Sequence, residues 1–149
     1  MSSPFCDALI WSWFWRAVSV LLGFTMPPRI LIVDDSPLVR NLLRQCFEAE
    51  PGWKISGEAG NGQEGIAKAQ LVHPNLIVLD LSMPVMNGLD AAKALSKLMP
   101  SVPLVMFTSF MTSNLEREAL SAGICKVFVK SGPLADLVGC VRSLVRDAA

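Results

Sequence analysis

No charge of either sign is in excess. Thirteen Lys and Arg balance thirteen Asp and Glu, which excludes a nucleic-acid binder resting on bulk positive charge. Histidine occurs once, at His73, and the four cysteines (Cys6, Cys46, Cys125, Cys140) form no C-x-x-C pair and lie at no ligand spacing from it. That pattern argues against a zinc centre and a disulfide framework, and the cysteines read as small buried hydrophobes of a reducing compartment. Internal repeats and low-complexity tracts are missing too. With 149 residues and 52% apolar side chains, disorder, collagen and a coiled coil are excluded, and one domain of ordinary size is expected.

The apolar content is unevenly spread. Residues 1–26 hold 17 apolar side chains and two charges, Asp7 and Arg16, leaving 24 charges for the remainder. The chain therefore divides into a hydrophobic leader, 1–26, and a domain, 27–149, long enough to bury a core of its own. Within the leader, Ala8–Phe24 carries a single charge. As a helix it would reach about 25 Å, short of the roughly 30 Å of a bilayer core, with Arg16 at its middle. Three readings stand: an extension upstream of a natural start at Met26, a membrane-associated anchor over residues 8–24, or an export signal lacking its basic beginning.

From Arg29 onward, short apolar runs alternate with helical patterns. Strands are expected at Arg29–Val33, Trp53–Ala59, Asn75–Leu79, Val102–Phe107 and Cys125–Val129. Ser36-Pro37 opens the first helix, which ends before Pro51-Gly52. Asn61-Gly62, Asn87-Gly88 and Thr112 introduce the next three helices, and the last runs from about Pro133 to Arg146. Strict alternation of five strands with five helices means an α/β, doubly wound parallel sheet with helices on both faces. His73-Pro74 reads as a plain loop. Met83, Met86, Met99, Met106 and Met111 read as core filler.

Ligands of such sheets sit beyond the carboxyl ends of the strands. Asp34 and Asp35 follow the first strand, Asp80 the third, Thr108-Ser109 the fourth and Lys130 the fifth. Three carboxylates on one rim repel one another and call for a cation. Hard oxygen donors without nearby Cys or His suit Mg2+ or Mn2+. With Lys130 and the Thr108 hydroxyl, such a rim would stabilise the oxygens of a phosphoryl group in transfer, a carboxylate being the nucleophile.

The stretches ILIVDDSP (30–37), LIVLDLSMPVMNG (76–88), VMFTS (105–109) and FVK (128–130) together resemble the receiver domain of two-component response regulators, over about 29–146. The resemblance implies a flavodoxin-like strand order 2-1-3-4-5. It implies Asp80 as phospho-acceptor, Asp35 as direct Mg2+ ligand with Asp34 acting through water, and the Ser82 backbone carbonyl as a further metal ligand. Thr108 is implied as the switch hydroxyl and Lys130 as the lysine that pairs with the phosphoryl group. The implied donor is a histidine kinase or a histidine phosphotransfer domain. The implied behaviour is that of a signalling switch in the cytoplasm, not an enzyme acting on other molecules.

Two features depart from the family pattern. Where an aromatic residue often precedes the lysine by three positions, this chain has Val127, with Phe128 on the opposite face. No output domain follows the last helix, so the chain resembles single-domain chemotaxis regulators, and no direct nucleic-acid contact is expected. In the family, the position of Phe110 borders the path of the water that hydrolyses the aspartyl phosphate, so a bulky Phe110 would slow that loss. Downstream partners, or a second copy after phosphorylation, are expected on the face of the fourth helix, fifth strand and fifth helix. Leu115, Glu116, Arg117, Glu118, Lys126, Leu137, Arg142 and Arg146 are the residues read onto that face. The competing assignments are a haloacid-dehalogenase-like phosphatase, for which Asp80-Leu81-Ser82 lacks the second Asp of a D-x-D motif, and a receiver cut from a DNA-binding regulator.

Overall fold

The structure is a computed structural model that describes residues 27–147 together with Phe14, Ala17, Val18 and 21–23. Most of the leader, Cys6 and Arg16 included, lies outside the described residues. Strands β1 (Arg29–Val33), β2 (Lys54–Ala59), β3 (Leu76–Leu79), β4 (Leu104–Thr108) and β5 (Ile124–Val129) alternate with five helices. These are α1 (Pro37–Glu48), α2 (Gly62–Val72), α3 (Gly88–Leu98), α4 (Ser113–Ser121) and α5 (Leu134–Asp147). The strands form one parallel sheet in the order β2-β1-β3-β4-β5, the doubly wound arrangement that the alternation and the resemblance predict.

The three inner strands are apolar but for Arg29 at the start of β1 and Thr108 at the end of β4, because helices cover both of their faces. Every residue of β3 and β4 is buried, as are four of the five in β1. On one face Leu31, Val33, Ile77, Leu79 and Met106 pack against Ala69 of α2, Leu95 of α3 and Ala119 of α4. On the other Ile30, Ile32, Val78, Val105 and Phe107 pack against Leu43 and Phe47 of α1 and Leu137 and Val141 of α5. The strand period of two places Val127 in the first cluster and Phe128 against the second, on opposite faces as expected. Met106 is fully buried, and Met83, Met86, Met99 and Met111 pack around the first cluster.

Local chemistry sets the helix starts. Ser36 Oγ accepts from Val39 N at 3.4 Å, and the Asn61, Asn87 and Thr112 side chains accept from the backbone N–H three residues on. Each thereby satisfies a donor that a helix start leaves open. Gly123, at φ 102, ends α4 in a conformation that suits glycine.

The structure corrects several details. β4 begins at Leu104, because Val102 N donates back to Met99 O and closes a turn, and it ends at Thr108, whose carbonyl accepts from Lys130 N at 2.7 Å. β2 starts at Lys54, β3 at Leu76 and β5 at Ile124, whose next residue, Cys125, falls at a register shift. Cys46 and Cys140 are half-buried, but Cys125 is exposed, so the reading of the cysteines as buried fails for that one. Two residues read onto the α4–β5–α5 face are elsewhere. Leu137 is buried in the core, and Arg142 reaches toward α1 to hold Glu50 at 2.6 Å. A helix has several faces, and α5 spends these two positions on the sheet and on the loop after α1.

Candidate functional site

At the carboxyl end of the sheet, backbone pairing fixes where the acidic side chains emerge. Asp34 N donates to Ala59 O at 3.0 Å, and Asp80 N donates to Val33 O at 2.8 Å. The β1 and β3 ends are therefore locked side by side, and both carboxylates are nearly sealed from solvent, 2% and 5% exposed. Asp35 stands exposed beside them. One oxygen from each of Asp34, Asp35 and Asp80 lies within 4.8 Å of the others, a spacing at which hard oxygen donors can share a metal ion. Ser82 is exposed on the loop after β3.

Lys130, at the end of β5, answers the repulsion. Its Nζ lies 2.8 Å from Asp34 Oδ2 and 3.4 Å from Asp80 Oδ2. Burial alone would lower the ammonium's pKa, but the hydrogen bond to Asp34 and the charges of Asp34 and Asp80 outweigh it and hold Lys130 above its ordinary value. Asp80 is pushed up to about 6, first by burial and then by the charge of Asp34, with Lys130 opposing both. Asp34 thus holds the shorter contact to the lysine, and Asp80 is the rim carboxylate that sits with unmet charge.

Thr108 is 2% exposed. Its hydroxyl donates to Phe110 O at 3.3 Å and accepts from Phe110 N at 3.5 Å, so it is tied to the backbone of the β4–α4 loop. Phe110 itself is largely exposed. Asp34, Asp35, Asp80, Thr108 and Lys130, each singled out at a strand end, therefore gather at one end of the sheet. Arg40, which the sequence reading passed over, also belongs there. From α1 it donates to the Asp34 carbonyl at 2.6 Å and steadies the turn that presents both β1 acids. Its signal was its place one helical turn after the Ser36 cap, on the side that faces the rim.

Gly88 shows how tightly the rim is built. Its N–H donates to Leu81 O at 2.8 Å, and a Cβ there would lie 2.1 Å from the Asp80 carbonyl oxygen. Gly88→Ala must push the loop off β3. We expect a loss of about 2–4 kcal/mol in urea unfolding, and an unchanged midpoint would show that the loop gives way freely. In the same loop Val85 holds φ 67, a left-handed conformation costly for a β-branched residue.

A parallel doubly wound sheet in the order β2-β1-β3-β4-β5, its carboxyl rim gathering three aspartates of which two contact one half-buried lysine, has the architecture of a receiver. The chain belongs to the response regulator receiver domain family, which it matches over residues 30–142. It is 38% identical over 119 residues to a protein-glutamate methylesterase/protein-glutamine glutaminase of Methanosarcina acetivorans, covering 78% of this chain and 34% of that protein. It is 33% identical over 105 residues to the chemotaxis protein CheY of Thermotoga maritima, covering 70% of this chain and 87% of that protein. The chain thus spans about a third of the methylesterase but most of the chemotaxis protein. Among solved structures, the CheX–CheY–BeF3–Mg2+ complex from Borrelia burgdorferi contains a chain matched with a TM-score of 0.76 at 26% identity. That match covers 80% of this chain and 90% of its counterpart. Receivers are the signalling domains of two-component systems, and relatives such as the methylesterase carry their enzymatic activity in other domains.

Proposed function

We propose that this protein is a phosphorylation-controlled switch in which Asp80 accepts a phosphoryl group from a histidine kinase or a histidine phosphotransfer domain. The observation that carries this reading is the state of Asp80. It is nearly buried at the rim, held above the usual carboxylate range, and faces Lys130 across 3.4 Å. In the transfer, an Asp80 oxygen attacks phosphorus, the phosphorus–nitrogen bond of the donor breaks, and the donor imidazole leaves with the electron pair. Lys130 supplies positive charge to the phosphoryl oxygens as they move.

The donor set fits Mg2+ or Mn2+. Asp34, Asp35 and Asp80 offer oxygens only, exposed Asp35 opens the cluster to solvent, and the Ser82 carbonyl would be the further ligand. When bound, the ion would supply charge neutralisation between the carboxylates and the phosphoryl oxygens. The Mg2+ in the related Borrelia complex supports this choice. The protein acts on itself and turns over no separate substrate.

On phosphorylation the Thr108 hydroxyl exchanges its two bonds with Phe110 for the phosphoryl group, which frees the β4–α4 loop to shift. The face that reads the change is formed by α4, β5 and α5, with Leu115, Glu116, Arg117, Glu118, Lys126 and Arg146. A downstream protein or a second phosphorylated copy docks there. The domain, 27–149, works in the cytoplasm, and where the leader is part of the native chain residues 8–24 associate it with the membrane. Among the described residues no helix is long and apolar enough to cross a membrane.

Incubation with acetyl phosphate and Mg2+ tests the proposal. A mass gain of one phosphoryl group, absent in Asp80→Ala, is expected; sustained hydrolysis of small phosphoesters would point to a phosphatase instead. A second outcome follows from Phe110, which is 68% exposed and whose backbone is tied to the Thr108 hydroxyl. Placed there, the ring shields the aspartyl phosphate from water. Phe110→Glu should shorten the phosphoryl half-life severalfold in a chase with unlabelled donor, and an unchanged half-life would remove Phe110 from the site.

A further inference from the structure

The end of the sheet opposite Asp80 has a composition of its own. Leu71, Leu98 and Leu120 are 78%, 51% and 50% exposed, and they occupy equivalent places, at or one residue before the last position of α2, α3 and α4. These three helices lie side by side on one face of the sheet. Because all run parallel, the leucines form a row along the lower edge. Cations accompany them. Lys97 adjoins Leu98; Arg29 opens β1 and reaches the His73 carbonyl at 2.6 Å, just past α2; Lys54 pairs with Arg29 in register. The loops at this edge, residues 73–75, 99–103 and 121–123, contain no acid. Of the acids at the end of α1, Glu48 faces Arg44 and Glu50 is held by Arg142, while Asp147 at the end of α5 follows Arg146.

Acidic charge collects at the other end. Besides Asp34, Asp35 and Asp80, the first turns of α2, α3, α4 and α5 contain Glu64, Asp90, Glu116 and Asp136. Glu64 and Asp90 are paired with Lys68 and Lys93, and Asp34 and Asp80 share Lys130. The excess negative charge at the phospho-acceptor end therefore rests on one of those two aspartates with Asp35, Glu116 and Asp136, and the excess positive charge at the leucine row on Arg29, Lys54 and Lys97. The leader joins at the positive end, since residue 27 immediately precedes Pro28 and β1.

We propose that this lower edge docks on an anionic lipid surface, with Leu71, Leu98 and Leu120 entering the headgroup layer and Arg29, Lys54 and Lys97 facing the lipid phosphates. This rests on the reading of residues 8–24 as a membrane anchor and gives that anchor an orientation. The leader brings the edge to the bilayer, anionic headgroups attract the basic end, and the acidic end is repelled toward bulk solvent. Asp80 then faces its phosphodonor rather than the membrane.

Sedimentation of the full-length protein with phosphatidylcholine vesicles, with and without phosphatidylglycerol, tests the docking. Binding should be stronger to the anionic vesicles and weaken with salt. Lys54→Glu combined with Lys97→Glu should lower the apparent affinity at least about tenfold, and Leu71→Ser, Leu98→Ser and Leu120→Ser together should lower it severalfold. All these side chains are exposed, so uptake of phosphoryl from acetyl phosphate should be unchanged and certifies folding. Three results overturn the proposal. If Trp11→Ser, Trp13→Ser and Trp15→Ser abolish binding while the edge variants bind like the parent, the leader anchors alone. If the parent ignores vesicles, the anchor falls as well. If the parent pellets without vesicles and the leucine variant does not, the row is a contact between copies of the chain.

Discussion

Asp80→Asn should take up no phosphoryl group and, in the presence of a chelator at pH 8, should be more stable than its parent. The sign follows from the raised pKa of Asp80. Its value stands at about 6 in the folded protein against an ordinary 3.8, so the folded state binds that proton more tightly than the unfolded chain does. The associated stability is present below about pH 4 and is lost as pH rises through 6. Above that, the ionised side chain costs the fold about 3 kcal/mol at most, since one pKa unit corresponds to about 1.4 kcal/mol. Asparagine fills the same space without the charge, and Lys130 keeps its shorter contact with Asp34, so a gain of about 1–2 kcal/mol is expected. Urea unfolding at pH 8 and pH 5 checks it. The advantage should shrink at the lower pH, where the parent's Asp80 is largely protonated. A variant less stable than its parent at pH 8 would mean that the Asp80–Lys130 attraction outweighs the cost of burial.

The second large effect is expected for Lys130→Met. Removing the ammonium leaves Asp34 and Asp80 nearly buried, close together and without their common partner, a situation that costs about 3–5 kcal/mol. The raised pKa of Lys130 means that its stabilising contribution is present below its unfolded value near 10.4 and vanishes only as pH rises past the folded one. It is thus complete at pH 8. The deficit of Lys130→Met should shrink as pH falls through about 6 and Asp80 takes up its proton. Added Mg2+ should restore much of the lost stability at pH 8, because a cation between the carboxylates answers the same repulsion. Phosphoryl uptake from acetyl phosphate should fall at least about tenfold even with Mg2+, since the charge that meets the phosphoryl oxygens is gone. A deficit indifferent to both pH and Mg2+ would show that Lys130 matters only by packing.

These two residues were legible in the sequence because of where the apolar runs stop. A strand buried on both faces is apolar along its core, so the first polar residue after Leu79 marks the sheet's rim, and Lys130 ends the Val127–Val129 run of the edge strand β5 in the same way. Asp34 and Asp80 were found that way, and the Asn61, Asn87 and Thr112 caps were found by side-chain type. What escaped were contacts that neither periodicity nor capping chemistry announces. Arg40 bonds the Asp34 carbonyl six residues back, Arg142 of α5 holds Glu50 in the loop after α1, and Leu137 belongs to the core. Thr108 was placed on the rim, but its engagement with the Phe110 backbone depends on the path of the β4–α4 loop, for which composition sets no rule.

The sequence by itself determined the alternation of elements, the two-sided burial of the inner strands and the acids and lysine at their carboxyl ends, because hydrophobic periodicity and capping chemistry act over a few residues. Only the tertiary structure decided which of those end residues touch. Lys130 meets Asp34 at 2.8 Å and Asp80 at 3.4 Å, and that difference leaves Asp80 as the carboxylate with unmet charge. It also brought Leu71, Leu98 and Leu120 into one row, since exposure and alignment depend on how neighbouring helices pack against the sheet. Periodicity is a property of one segment; electrostatic balance and surface pattern arise between segments, once the fold has set their distances.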